Sequence, residues 1–439
     1  MRSILLGADL GTTTLSFLAA DIRTQTVLET VTLNHGAFLS AAGPGFSEQD
    51  AARIAQLTQE TLSALLDQYP DAAAIGLTGQ MHGVVCVDKD GRAVSPFVTW
   101  QDARADAALC ARILEATRRR IYPGYGCATL YADACAGRLP QAAQSFCSLM
   151  DYVAMHLTGA SAPLMHESCA DSLGLYDREA GRFDPEAFRA LGLSLAPPAV
   201  TRENRIVGTF RGVPLSVAIG DNQASFLGSV RDEAHSVLVN YGTGSQISMA
   251  VDTPVSVPGA ELRPYIGGRS LLCASALCGG RAYAMLERFF AAYAGAPAGT
   301  QYERINALAE KAYAGDARLS VCTQFCGTRS DPTLRGTVTG IGEENFTPAH
   351  LALGVVQGMV DELAQYYAAF PSSGVHEVVA SGNAVRKNPM LRRLIADTFS
   401  LPVRLCISRE EAALGAALFG GLCAGVLSRE EAGGLIRYA

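Results

Sequence analysis

Two short glycine-threonine turns constrain this chain more than any other feature. They are Asp9-Leu10-Gly11-Thr12-Thr13-Thr14 and Tyr241-Gly242-Thr243-Gly244-Ser245, and each sits between two runs of strand-forming residues. Glycine lets backbone amides approach an anion closely, and amides and hydroxyls together form a concave nest for phosphate oxygens. Either turn alone reads equally well as a plain hairpin turn. The pair says more, because phosphate bound between two duplicated halves needs one turn from each half. No lysine follows the glycines and Leu15 to Ala20 reads as strand, so neither is a helix-opening phosphate loop and the backbone must do the cradling. Asp9 closes the first apolar strand, Ile4 to Ala8, where a carboxylate suits a hydrated magnesium ion bridging phosphates.

With 439 residues the chain can fill the cores of two or more domains. A hydrophobic share of 49% and a charged share of 18% are those of a soluble globular protein. The net charge of −7 argues against a nucleic-acid partner, so anionic ligands must be held by local dipoles and metal. Arg2 before Ile4-Leu5-Leu6 imitates a signal peptide, but Gly7 and Asp9 interrupt the apolar run, and no run approaches membrane-spanning length. The expected location is cytoplasmic, with no membrane partner. Twelve cysteines without a Cys-x-x-Cys read as reduced thiols used as small apolar residues. The spacing of Cys322 and Cys326 would put them on one helical face, yet without a second pair or a histidine cluster no zinc site is expected.

Ser47, with Asp50 three residues on, is expected to open a helix carrying Ile54, Leu57, Thr61 and Leu65 on one face and ending at Pro70-Asp71. A buried strand over Ile75 to Thr78 then leads into the loop Gly79-Gln80-Met81-His82-Gly83 and a second strand, Val84 to Val87. From about Arg104 to Pro214 the pattern mixes helices with Gly/Pro turns, as in an insertion that shapes a substrate pocket. Val213 to Ile219 reads as one strand ending in Gly220-Asp221, which places Asp221 at a strand end opening a helix. Asp252 to Pro264 carries three prolines and reads as a loop. Thr347-Pro348 is a cap followed by a first-turn proline, and Pro389 to Phe399 a helix between strands at Val378 to Ala380 and Pro402 to Cys406. Glu410 to Leu418 is a helix whose small residues permit close packing. The expectation is α/β: two actin-like (ribonuclease H-like) domains, residues 1–228 and 229–439, with a ligand cleft between them.

These segments resemble the FGGY carbohydrate kinases of the actin-like ATPase superfamily over essentially the whole chain. Asp9 to Thr13 resembles the first phosphate motif, Gly242-Thr243-Gly244-Ser245 the second, and Ser381-Gly382-Asn383-Ala384 the adenosine motif. Asn222 to Leu227 and Glu411 to Leu418 resemble the family's two connecting helices. The Gly79 to Gly83 loop resembles the sugar loop of xylulokinases and sedoheptulokinases, and Trp100-Gln101-Asp102-x-Arg104 the sugar-site segment that follows. Gly124 to Thr129, Gly220 to Ser225 and Ser381 to Ala384 favour the sedoheptulokinase branch.

The resemblance implies transfer of the γ-phosphoryl of ATP, with magnesium, to a ketose hydroxyl: sedoheptulose first, xylulose second. A sugar hydroxyl is a poor nucleophile, so a carboxylate that accepts its proton is required, contributing roughly 10²–10⁴-fold. Asp221 is the candidate, against the plainer role of capping its helix. Gln80, Met81, His82, Trp100 and Asp102 are expected to line the sugar pocket with Asp221. For His82 a structural hydrogen-bonded role is the alternative, and for Trp100, the only tryptophan, burial in the core. Gly11, Thr12, Thr13, Thr14 and Gly242 to Ser245 are assigned to phosphates, Gly382, Asn383 and Asn388 to adenine and ribose, and Asp9 to magnesium through water. An actin-like ATPase switch, disfavoured by the Gln80 to His82 loop, Trp100 and Asp221, and a sugar sensor without turnover, disfavoured by Asp9 and Asp221, are the readings from other classes. The chain is expected to act as a monomer or homodimer.

Overall fold

In a computed structural model, which describes residues 2–41, 43–328, 331 and 333–439, the first glycine-threonine turn joins β1 (Ile4–Leu10) to β2 (Thr14–Asp21). Both strands are buried on both faces, as their near-continuous apolar sequences require. β1 pairs antiparallel with β2 and parallel with β4 (Ala72–Gly79). β3 (Thr26–Asn34), β5 (Ile206–Phe210), β6 (Val213–Ser216) and β7 (Ile219–Gly220) complete a seven-stranded sheet in the order β5-β6-β4-β1-β2-β3, with β7 added along β4.

The second turn joins β8 (Ser236–Tyr241) to β9 (Ser245–Val251). With β10 (Glu261–Pro264), β11 (Ser270–Ala276), β12 (Glu377–Ser381) and β13 (Val403–Leu405) they form a six-stranded sheet, β10-β11-β9-β8-β12-β13. β8 again pairs antiparallel with its successor and parallel with β12. The order β3-β2-β1-β4-β6 thus recurs as β11-β9-β8-β12-β13, and this is the duplication the two turns foretold.

Each sheet has its own apolar core. The chain divides into two compact units. Unit 1 holds residues up to Arg231, Pro264–Gly268 and Glu410–Ile436, and unit 2 holds the remainder. The return of the C-terminal segment to unit 1 has a local cause in α6 (Glu411–Cys423). A side chain at Gly7 or Gly76 would collide with the backbone carbonyls of Ala413 and Ala416, so α6 lies almost backbone to backbone on β1 and β4. Gly415 makes the same approach to Ala224 on α2 (Asp221–Ser229).

Several local expectations shift. α1 (Ala51–Gln68) is capped by Asp50, whose carboxylate accepts from Arg53 N at 3.0 Å; Ser47 instead bonds Thr99 and Asp102. The strand read through Val213 to Ile219 is broken into β6 and β7. The proline-rich stretch ends in β10 rather than running as loop to Pro264. Cys322 closes a three-residue strand and Cys326 stands in the following turn, so they share no helix. By contrast α4 (Pro348–Ala369) is capped by Thr347 as expected, and α5 spans Pro389–Phe399. No helix among the described residues is long and apolar enough to cross a membrane.

Candidate active site

β1, β4 and β7 lie side by side and end together: Leu10 pairs with Gly79, and Gly79 with Gly220. Asp9, Gln80 and Asp221 therefore stand at the C-terminal ends of three adjacent parallel strands, where open α/β sheets bind their ligands. The turn after β1 is held from one side. Gln80 Nε2 donates to Gly11 O at 3.4 Å, and Thr12 O accepts from Gln49 Nε2 at 2.8 Å and His35 Nε2 at 2.9 Å. Thr13 O accepts from His35 N at 3.4 Å. A trans peptide points its N–H opposite to its C=O, so the amides of Thr12, Thr13 and Thr14 face away from these supports, toward any anion in the turn. Burial holds His35 below the ordinary histidine range, and Ala37 N donates to its Nδ1.

The remaining sugar-side candidates differ in what they are free to do. Gln80 is buried, and its Oε1 has no hydrogen-bond partner among the described residues, while its Nε2 is fixed on Gln49 at 2.9 Å. A buried amide oxygen without a donor is costly, and a ligand hydroxyl would satisfy it. Trp100 is 47% exposed, which overturns the core alternative, and its indole N–H donates to Thr12 Oγ1 at 3.0 Å. His82 sits at φ 73° with Nδ1 2.8 Å from Ser172 O, and its ring stacks on Tyr125 at 4.5 Å. Residues of the 104–214 segment thus hold the Gly79 to Gly83 loop. Met81 is buried. Asp102 is buried with both oxygens engaged by Arg104 and Ser47 N, so its carboxylate braces the Trp100 segment. Arg104 is gripped in turn by Glu48 at 2.5 Å and Asp133 at 3.0 Å, and lies over the Phe46 ring at 4.2 Å.

Asp9 is pushed up to about 7, by burial first and then by the negative charges of Asp221 and Glu410. Asp9 offers acceptor-only oxygens to a hydrated cation, but among the described residues Asp9, Asp221 and Glu410 do not converge within ligand distance as a three-carboxylate metal group. Asp221 is the first residue of α2, half-buried, behind an uncapped Gly220.

In unit 2 the second turn is supported by backbone alone. α3 (Gly280–Ala294) presents its first two amides to it: Gly280 N donates to Gly242 O at 2.8 Å and Arg281 N to Thr243 O at 2.9 Å. The amides of Thr243 and Gly244 consequently point away from α3. The buried hydroxyl of Ser245 has no partner among the described residues. At the end of β12, Ser381 Oγ accepts from Asn240 Nδ2 at 2.8 Å, and Gly382 adopts φ 95°, where a side chain would strike Tyr241 O. Asn383 is exposed just beyond it. Asn388 is buried and spends its Oδ1 on Leu391 N as the cap of α5.

Comparison with known proteins settles the family. The model of the N-terminal domain of the FGGY family of carbohydrate kinases matches residues 4–237, and that of the C-terminal domain residues 237–424. The chain belongs to the FGGY family of carbohydrate kinases. It is a sugar kinase, a phosphotransferase with the two-domain mixed α/β fold of the actin-like ATPases. The chain is 27% identical over 480 aligned positions to sedoheptulokinase from Homo sapiens, covering 95% of this chain and 97% of that protein. Its fold matches xylulose kinase from Rhodospirillum rubrum with a TM-score of 0.86 at 22% identity, over 99% of this chain and 93% of the other. Plasmodium falciparum glycerol kinase with ADP matches with a TM-score of 0.79 at 16% identity, over 97% and 90%.

Sequence reasoning missed His35 and Gln49, two of the side chains that hold the first turn of this kinase. Both act on a backbone carbonyl more than 20 residues away, and nothing in a single sequence marks such a bond. It also missed that Gly280 and Arg281 support the second turn, although Gly279-Gly280 before a helical run was a legible sign of close approach.

Proposed function

We propose that the chain transfers the γ-phosphoryl of ATP to a ketose, converting sedoheptulose to sedoheptulose 7-phosphate. The observation that carries this reading is the convergence of Asp9, Gln80 and Asp221 at three adjacent strand ends beside a turn whose amides face outward. In it, Gln80 Oε1 accepts from a sugar hydroxyl, while Trp100 and Met81 supply an apolar surface to the carbon chain. Asp221 accepts the proton of the attacking hydroxyl as the oxygen–phosphorus bond forms. The amides of Thr12 to Thr14, and of Thr243 and Gly244 with the Ser245 hydroxyl, bind phosphoryl oxygens whose charge grows during transfer. Magnesium, held by Asp9 through water, would neutralise phosphate charge and lower the Asp9 carboxyl from its raised value. Gly382 and Asn383 contact adenine and ribose, and Asn388 shapes that site by capping α5. Full-length likeness to a sedoheptulokinase supports the choice of sugar. The fold shared with xylulose kinases makes D-xylulose, giving xylulose 5-phosphate, the second acceptor to test. A cytoplasmic setting belongs to the reading, since all twelve cysteines are unpaired thiols.

The test is ADP release from magnesium-ATP with a panel of ketoses and polyols. Release with sedoheptulose at a kcat/KM well above that with xylulose or glycerol is expected. Preference for another acceptor overturns the sugar assignment, and release independent of any sugar overturns the proposal in favour of an ATPase switch.

A further inference from the structure

In unit 2, at the end of the sheet away from its turn, two imidazoles and a carboxylate converge. β8 and β12 pair in parallel with Ser236 opposite Glu377, so His235 and His376 stand side by side one residue before the first pair, and His376 N donates to His235 O at 2.9 Å. Their ring centroids are 5.4 Å apart. A tight turn adds the third group: His235 N donates to Asp232 O at 3.3 Å, and His235 Nδ1 lies 3.0 Å from both carboxylate oxygens of Asp232. These side chains are open to solvent. The neighbouring acids are engaged elsewhere, since Glu377 accepts from Ser236 Oγ at 3.0 Å and pairs with Arg404 at 3.2 Å, and Glu233 pairs with Arg269 at 2.7 Å. Among the described residues, Asp232, His235 and His376 are the one set of three histidine, cysteine or acidic side chains whose ligand atoms all lie within 4.8 Å of one another.

We propose that Asp232, His235 and His376 bind a zinc ion that clamps the starts of β8 and β12 together. Two imidazole nitrogens with one carboxylate select a borderline ion such as zinc over magnesium or calcium, which take oxygen ligands. Ligand atoms around one tetrahedral zinc, at bonds of about 2.0–2.1 Å, stand about 3.3 Å from one another. The Asp232 and His235 atoms are already at 3.0 Å, so rotation of the exposed His376 side chain closes the set without moving either strand. Three protein ligands leave the fourth position to water. The ion adds a cross-link between two strands whose other ends carry the Gly242–Ser245 turn and Gly382. At about 3.3 Å per residue, the five steps from Ser236 to Tyr241 put the clamp about 17 Å from that turn. None of the three residues belongs to the proposed phosphoryl-transfer machinery, so the site stands or falls independently of the acceptor sugar.

Crystals of the whole protein soaked in zinc chloride and measured on both sides of the zinc absorption edge are expected to show an anomalous peak bounded by Asp232, His235 and His376. In solution, zinc titrated against a chromophoric chelator with magnesium present should reveal one more bound equivalent in the wild type than in His376→Ala. Asp232→Asn should raise the Kd of that equivalent by at least about 10- to 100-fold. The substituted side chains are exposed, so the variants are expected to keep the wild-type circular dichroism without zinc, and His235→Ala replaces His376→Ala should the latter misfold. Zinc should also slow amide exchange at Val237 and Val378 by about tenfold or more in the wild type but not in His376→Ala. An anomalous peak only elsewhere, or equal zinc stoichiometry in wild type and variant, overturns the site. Binding at the site that leaves both exchange rates unaltered overturns the clamp.

Discussion

The two glycine-threonine turns occupy the same place in duplicated sheets, yet they are built by different means. The first is held by side chains: Gln49, His35 and Gln80 occupy its carbonyls, and Trp100 takes the Thr12 hydroxyl. The second is held by main chain, through the first two amides of α3. On the proposed reading a side-chain scaffold ties the turn to the substrate side, because Gln80 both supports the turn and carries the oxygen proposed to accept from a sugar hydroxyl. A main-chain scaffold is indifferent to side-chain identity but tolerates no bulk at the contact. The lesson is that one strand-turn-strand element can be braced by side chains in unit 1 and by main chain in unit 2.

The largest effect that sharpens this contrast belongs to Asp221, which has no counterpart at the second turn. Asp221→Asn is expected to lower kcat by about a hundredfold or more with the Kd for ATP unchanged; near-normal turnover would remove Asp221 from the proton-accepting role. Next is Gly280→Ala, whose Cβ would fall 2.6 Å from Gly242 O and displace the turn. Steady-state kinetics should show the KM for ATP raised by about 10- to 100-fold, the loss of one or two charge-assisted hydrogen bonds, with the KM for ketose little changed. Gln49→Ala reverses that pattern. It takes one donor from Thr12 O and the acceptor from Gln80, so kcat/KM for the ketose is expected to fall by about tenfold. Equal effects of the last two variants on both substrates would erase the distinction between the turns.

A different readout is stability. The Asp9 carboxyl is raised in the folded protein, so the folded state holds its proton more tightly than the unfolded state does. Its favourable contribution is complete below about pH 4 and is lost as pH rises toward 7. The unligated wild type should lose melting temperature across that window relative to Asp9→Asn. Melting curves in which the two proteins keep a constant difference would show that Asp9 carries no such strain.

Legibility in the sequence followed the range of the interactions. The caps at Thr347 and the helix Pro389–Phe399 were readable because their bonds run over three residues. The duplicated sheets were readable because both turns carry a local signature between apolar runs. Ser47 was misread as a cap because its partners, Thr99 and Asp102, lie some 50 residues on and only the fold brings them near. The same reason explains why α6 was placed with the second half: its glycines declare close packing but not against which strands. At the site, Asp9, Gln80 and Asp221 were legible as strand-end residues, whereas the bracing role of Asp102 and the capping role of Asn388 emerge only from their bonded partners.

The central claim is that the amides of both turns face away from their supports and bind phosphoryl oxygens. Amide chemical shifts of threonine- and glycine-labelled protein, recorded with and without a non-hydrolysable magnesium-ATP analogue plus ketose, test it directly. The account predicts large shifts at Thr12, Thr13 and Thr14 and at Thr243 and Gly244. Shifts confined to one turn, or absent from both, would contradict it.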